Sequence, residues 1–287
     1  MTSLPERVAR RCYTVVNPLH SAVYFAPDYG HELARLGMEE RGAVYFVSRA
    51  AAFGRVGAGT VTATFYNFKH ELIARHLPKV WDVISPEAAL EARLRAADSV
   101  LRRVLGDETV ASKDMAEAAE LAVRATEACS RAARPLYSAH ADLPTPDAPH
   151  LAFWHAATLL REHRGDGHLM TLVGAGLDGV ESLASHAASG KGMSPKWILR
   201  TRGWTEEEWT AAQDRLRGRG LLTADNELTE AGVQLRAALE EETDRLDAAP
   251  YEHLGAAGVA RLTELAGAFT TTALERGAFP ADLIGKH

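Results

Sequence analysis

Residues 149–168 read PHLAFWHAATLLREHRGDGH, and the way this stretch folds sets the reading of the chain around it. Pro149 suits the first turn of a helix, where its missing N–H is no loss. Leu151, Trp154, His155, Thr158, Leu159 and Glu162 then recur at three- and four-residue steps, the period of a helix face. His155, Leu159 and His163 stand four apart and share nearly one face. Gly165 fits a helix C-terminus, because glycine accepts the left-handed conformation there. Asp166 caps a second helix from about residue 167 to 189. The expected result is a tight helical hairpin with His163, Arg164, Asp166 and His168 at its bend and His155 beneath them. A histidine near its own pKa suits acid–base work. His155, His163 and Asp166 are therefore candidate catalytic residues, and Trp154, Arg161, Arg164 and His168 candidate ligand contacts. The plainer alternative is that Asp166 only caps and the two arginines pair with surface acids.

The composition frames this stretch. Hydrophobic residues make up 46% and charged residues 24% of 287, an ordinary balance for a globular protein of one large or two small domains. Alanine and leucine dominate while β-branched runs are scarce, so the chain should be mostly helical. The net charge of −6 argues against a broad nucleic-acid or anionic-membrane surface. Cys12 and Cys129 form no paired motif, which points to a reducing, cytoplasmic setting. No long apolar segment reads as a signal peptide or a membrane span.

Residues 4–17 form an expected first helix. In the segment that follows, His20 and Tyr24 lie one helical turn apart, and packing is the plainer reading of that pair; Tyr24 also joins the candidate ligand contacts. Residues 40–54 read as a helix with Arg49 late in it, another candidate contact. Phe65, Tyr66, Asn67 and Phe68 form an aromatic patch around one amide, fit for a ligand wall or for a core. His70, Glu71 and His76 look like the start of a zinc-protease motif, but six residues turn a helix by about 600°. The two histidines then face apart, and a metalloprotease is rejected. His70 stays a candidate ligand contact because of its neighbours. No metal is called for, although a haem or iron site would follow if His20, His70, His155, His163 and His168 converged.

Ser85-Pro86 opens a helix to about residue 105, with Leu90, Leu94, Ala97, Leu101 and Leu105 as its stripe. A further helix is expected over 112–137, and a Pro- and Asp-rich linker over 138–149. After Ser189 the pattern changes. Residues 195–202 make a short helix, and Thr205 with Glu208 matches a capping box for a helix over 206–218. LLTADNELT reads as a small β-hairpin, and Thr229 caps a long helix to about 248. Helix, turn, helix, two-stranded wing, helix is a winged-helix layout. The expected fold is thus all-α, with a helical ligand-pocket domain over 1–190. A winged-helix segment with a small β-hairpin and C-terminal helices follows over 191–287.

The segments VYFAPDYG, YFVSRAAAFG, TATFYNF, WHAATLLREHRGDGH and RGWTEEEWTAAQDRLRGRGLL resemble an actinobacterial family labelled SalK-like or helix-turn-helix family protein. The resemblance spans roughly residues 11–254 and implies architecture more than function. The winged-helix segment alone is similar to MarR-type regulators, and that similarity supplies no catalytic residues.

The helix over 206–218 is the one placed to enter a major groove, yet it begins with Glu206, Glu207 and Glu208, which repel phosphate. Over residues 191–250, nine basic side chains stand against twelve acidic ones. DNA binding is therefore disfavoured relative to packing or homodimerisation. The favoured function is binding of a small molecule in the helical domain, in a ligand-responsive regulator. The alternative is an enzyme of specialised metabolism with a His/Arg acid–base site. No membrane partner is expected.

Overall fold

The computed structural model describes residues 7–280. Fifteen α-helices occupy this span: α1 (Val8–Ser21), α2 (Asp28–Arg35), α3 (Val44–Ala50), α4 (Ala58–Phe65), α5 (His70–Ala74), α6 (Pro86–Leu105), α7 (Asp107–Val110), α8 (Lys113–Thr126), α9 (Pro135–Ala141), α10 (Pro149–Gly174), α11 (Gly179–Ala188), α12 (Pro195–Arg202), α13 (Glu206–Gly218), α14 (Glu230–Leu246) and α15 (Ala248–Glu275). Short 3-10 turns at Ala22–Tyr24 and Ala51–Phe53 join the early helices. Local chemistry sets many of the ends. Ser85 Oγ accepts the Ala88 N–H ahead of Pro86, and Thr205 and Glu208 form a reciprocal capping box, each satisfying donors the helix cannot pair itself. The expected helix over 112–137 is divided. α8 ends at Thr126 and α9 begins at Pro135, which disfavours helical backbone at Arg134 and so fixes where the second helix starts.

Two expectations fail for tertiary reasons. The first is the hairpin bend at Gly165. α10 continues straight through it to Gly174 as 26 residues of helix. A Cβ on Gly165 would stand 2.2 Å from Arg161 Nη1, and one on Gly167 would stand 2.7 Å from Arg134 Nη1 and 3.6 Å from Leu246 Cβ. These glycines make room for guanidinium groups; they do not end the helix. The turn comes later, and Asp178, not Asp166, caps α11.

The second is the winged helix with its β-hairpin. Among the described residues there is no strand, and residues 221–229 make a single isolated antiparallel bridge, Leu222 to Leu228. Leu221 and Leu222 are drawn into a core with Leu216 and Leu239, and only a tight turn with Asn226 at positive φ separates them from α14. A two-stranded ribbon is marginal by itself, and this loop is too short to extend the ladder. The all-α part of the expectation stands; the wing does not.

The described residues fall into two compact units, each built from separate stretches of chain. The first gathers residues 7–56, 78–167 and 246–279, the second 57–77 and 168–245. In the first, α15 packs on α1 and α8, and α2 packs on α6, around buried Trp81, Tyr29, Tyr251 and Phe153. In the second, α11 packs on α13 around Leu183, Ile198, Trp209, Ala212 and Leu216. Here α12, a turn over 203–205 and α13 form a helix-turn-helix. Gly203 sits at φ +82°, and a Cβ there would meet Leu72 Cβ at 2.8 Å, so the turn needs glycine for both conformation and space.

Candidate functional site

The first unit carries an unusual amount of polar chemistry in its interior. Arg49, on α3, reaches α10 and binds Glu162 through both arms, Nε to Oε1 at 3.1 Å and Nη2 to Oε2 at 2.7 Å. Both side chains are buried, at 8% and 1% exposure. Despite burial, the neighbouring Arg49 and Arg161 hold the Glu162 carboxyl well below the usual range. The third arm of Arg49 donates to the Tyr45 hydroxyl oxygen at 3.0 Å. Tyr45 and Arg49 are four residues apart on one helix, so their side chains meet on one face.

Beside this pair lies a cavity of about 630 Å³, bounded by the Ala22–Tyr24 turn, α2 and α3, with Tyr24, Tyr29, Val44, Tyr45 and Ser48 among its lining. Tyr24 accepts from Arg93 Nη2 at 3.3 Å, and burial raises its pKa, so the phenol keeps its proton as a donor. Tyr29 spends its proton on the Ala89 carbonyl. Ser48 is 1% exposed, and its hydroxyl meets no partner among the described residues.

Tyr24 is also in edge contact with His20, ring centroids 5.2 Å apart. The hydroxyl proton of Thr158 goes to the Trp154 carbonyl at 3.0 Å, so His20 Nδ1 must be the donor across its 2.9 Å contact with Thr158 Oγ1. His20 Nε2 is then a bare, buried acceptor. His140 is similar: Nδ1 donates to the Leu136 carbonyl at 2.9 Å. The Nε2 atoms of both histidines, and Nε of Arg93, are buried without partners among the described residues. Such groups are costly to leave unmade and rare in folded chains. Trp154 closes this group, donating to the His20 carbonyl at 3.3 Å under the Arg93 guanidinium, 4.6 Å from its ring.

The remaining residues singled out from sequence are dispersed. His163 is buried with both nitrogens used: Nε2 accepts the Ser130 N–H at 3.3 Å, and Nδ1 donates to Asp247 at 2.7 Å. Asp166 accepts the Tyr137 N–H at 2.9 Å, and burial raises its pKa to about 6. His155 is buried, and desolvation lowers its pKa to about 4. Arg161 stands 3.5 Å from Glu162, and Arg164 lies over the Tyr13 ring, 3.8 Å from Asp247. His155, His163 and Asp166 are not part of the cavity wall.

Phe65, Tyr66, Asn67, His70 and His168 belong to the second unit. Phe65 packs against Phe68, and the Tyr66 hydroxyl donates to the Leu177 carbonyl. Asn67 Oδ1 accepts from Ser182 at 3.1 Å. His70, exposed, pairs with Thr62 at 2.8 Å, and His168 with Thr243 at 2.8 Å. The five histidines weighed for a haem or iron site are thus divided between the units, and among the described residues no group of three or more His, Cys, Asp or Glu side chains is placed to hold a metal. Tyr45, Ser48, Arg93 and His140 were missed. Only Tyr45 had a readable signal, its four-residue spacing from Arg49.

In the second unit the arginines of α13 are already engaged. Arg215 binds Glu181 and Asp178, both at 2.7 Å; Arg217 pairs with Asp214; and Arg219 donates to the Ala175 and Gly176 carbonyls. α13 exposes Glu206, Glu207, Thr210 and Asp214 together with the paired Arg215, whereas exposed Lys191, Lys196 and Arg200 lie on or just before α12.

A family profile described as "Helix-turn-helix family" matches residues 9–280. The chain therefore belongs to that helix-turn-helix family over nearly its whole length, an assignment that agrees with the α12–α13 pair. Comparison with curated proteins and with solved structures gives no match. Among the described residues no helix is long and apolar enough to cross a membrane.

Proposed function

We propose that this helix-turn-helix family member is a small-molecule-binding protein whose ligand occupies the cavity beside α3. The observation that carries the reading is the buried, unpartnered Ser48 hydroxyl in the wall of a 630 Å³ cavity, a volume within the roughly 300–1,000 Å³ of ligand pockets. Tyr24 adds a second hydroxyl donor, its oxygen already served by Arg93. Two O–H donors beside Val23, Val44 and Met38 suit an organic molecule with a carbonyl-type acceptor, and His31, Glu39 and Arg41 add ionisable groups to the same wall. Arg49 and Glu162 neutralise one another behind the wall, so the ligand need not be charged. In a ligand-responsive regulator, occupancy would be the signal the helix-turn-helix answers.

The test is a thermal-shift and native-mass screen of the full chain against ketones, lactones and amides, followed by Ser48→Ala and Tyr24→Phe. A captured compound whose affinity falls about 5- to 10-fold with each lost hydrogen bond supports the reading. A chain that captures none of them and keeps its thermal midpoint overturns it. The enzyme alternative draws less support. His163 has both nitrogens bonded within the fold, and burial leaves His155 neutral at physiological pH.

Duplex DNA binding is the second reading, favoured by the α12–α13 helix-turn-helix and the family. Its difficulty is electrostatic, because affinity for DNA rests on phosphate neutralisation and the cations of α13 are consumed by acids and carbonyls of its own unit. The exposed cations near α12 would have to carry the contact. Absence of a mobility shift with mixed-sequence duplex at low salt would sink this reading.

A further inference from the structure

The second unit has a recess of its own, of about 210 Å³, lined by Asn67, His168, Leu172, Ser182, Leu183, His186, Met193, Ile198 and Arg236. Its cation is Arg236 on α14, whose side chain is 9% exposed. Nη2 of Arg236 donates to His186 Nδ1 at 2.5 Å. A nitrogen that accepts carries no proton, so His186 is neutral and adds no counter-charge to the guanidinium. Glu240, one turn along α14, forms a long ion pair with Nη2 at 3.7 Å, beyond hydrogen-bonding distance. Among the described residues Nε and Nη1 of Arg236 meet no acceptor. A buried charge without a hydrogen-bonded counter-ion is expensive to maintain, and an anion in the recess would relieve that cost.

A second donor stands in the same wall. Ser182 donates to Asn67 Oδ1 at 3.1 Å, and the Asn67 side-chain N–H₂ has no protein acceptor among the described residues. The recess is also lined by Leu172, Leu183, Met193 and Ile198. A bare inorganic anion would leave those apolar side chains without a partner. The planar fork of a guanidinium matches a carboxylate, and the aliphatic wall matches a ring or branched chain. The recess is smaller than the 300 Å³ or so at which drug-sized ligands begin to fit. We infer that it is a binding site for a small monocarboxylate with an apolar body, its carboxylate on Arg236 and Asn67 and its body against Met193 and Ile198. Ile198 lies on α12, so an occupant braces the first helix of the helix-turn-helix from beneath. This site is independent of the cavity beside α3.

The experiment titrates the full chain with benzoate, isovalerate and neutral benzamide by calorimetry, and follows amide exchange over residues 193–202. Benzoate and isovalerate should each bind at one site per chain. Benzamide should bind at least about 10-fold more weakly, and exchange over 193–202 should slow only with the acids. Arg236→Gln should weaken benzoate by about 10- to 100-fold, the loss of a charge-assisted contact. Met193→Trp should fill the recess and block binding with Arg236 intact, which decides the matter should Arg236→Gln fail to fold. Tyr24→Phe should leave benzoate affinity unchanged. The proposal is overturned by benzamide binding as well as benzoate, by no binding of either acid at millimolar concentration, by wild-type affinity in Met193→Trp, or by benzoate binding that is lost with Tyr24→Phe.

Discussion

Arg49 and Arg215 make nearly the same bonds in different surroundings. Each offers Nε and Nη2 to carboxylate oxygens, Arg49 to Glu162 and Arg215 to Glu181 and Asp178. Arg49 is 8% exposed, and cavity-lining Tyr45 and Ser48 share its helix; Arg215 is 47% exposed on the helix that would enter a groove if this unit bound DNA. The buried pair frames an interior in which Ser48, His20, His140 and Arg93 keep polar atoms without partners. The exposed pair cancels charge that a DNA reader would need. Unmatched polarity inside the first unit and matched charge on the second are what support the proposal of recognition in pockets rather than along α13.

The largest test of this contrast is to break both pairs. Glu162→Gln should cost about 3–5 kcal/mol in urea unfolding, because it strands a buried guanidinium. Arg215→Ala should cost less, about 1–2 kcal/mol, because Arg215 is half-exposed although its loss leaves the buried Glu181 carboxylate with the Asp178 N–H alone as a close donor. Equal losses would remove the distinction. Next come two glycines of α10. Gly167→Ala must displace the Arg134 guanidinium, which bonds the His163 and Leu246 carbonyls, and should destabilise by about 1–3 kcal/mol. Gly174, with open space around it, should accept alanine neutrally or with a gain of up to about 1 kcal/mol. A stabilised Gly167→Ala would show that the packing argument is wrong.

The pH dependence sharpens the picture of the interior. Burial lowers His140 to about 3 and His155 to about 4. Their contribution to stability is complete above the unfolded value near 6.5 and is lost as pH falls toward the folded values. The slope is at most about 1.4 kcal/mol per pH unit for each histidine. Asp166, raised to about 6, acts in the opposite sense, since the folded state takes up its proton first as pH falls. His20 and His186 are lowered by burial as well and Asp247 is raised, so four histidines against two aspartates leave a net loss between pH 6 and 4. His155→Phe should flatten that loss in denaturant titrations at stepped pH, and an unchanged slope would mean His155 does not carry it. The smallest effect is expected on α13, where Glu206→Gln with Glu207→Gln should raise duplex affinity at low salt only a few-fold. A larger gain, with a steep salt dependence, would return DNA reading to that helix.

Much of the helix plan was written locally. Ser85 before Pro86 and the Thr205–Glu208 box act within one turn of themselves, so a linear reading finds the boundaries they set, whereas the same reading runs through the break before Pro135. The polar interior was less legible. Arg93 shares the buried face of α6 with Ala89, Ala92 and Ala96, and in sequence it looks like any helix-surface arginine. Arg236 on α14 is hidden in the same way. Ser48 carries no sequence signal, because its significance lies in the bond it does not make. Among the residues that were singled out, Tyr24 and Arg49 meet at the first cavity and its framework, Asn67 and His168 line the second, and the other candidates serve bonds elsewhere in the fold.

The sequence by itself determined an all-helical chain, where several of its helices begin, and a helix-turn-helix between residues 195 and 218, because capping and apolar periodicity act over three or four residues. Tertiary structure alone decided that Gly165 and Gly167 continue a helix instead of ending it, that the expected wing is reduced to a single bridge, and which arginines are buried. Those outcomes depend on partners far away in sequence: Arg134 and Leu246 against Gly167, Leu239 in the core with Leu221, Glu162 for Arg49. A guanidinium is solvated, paired or stranded according to what folds around it, and its place in the chain does not record which.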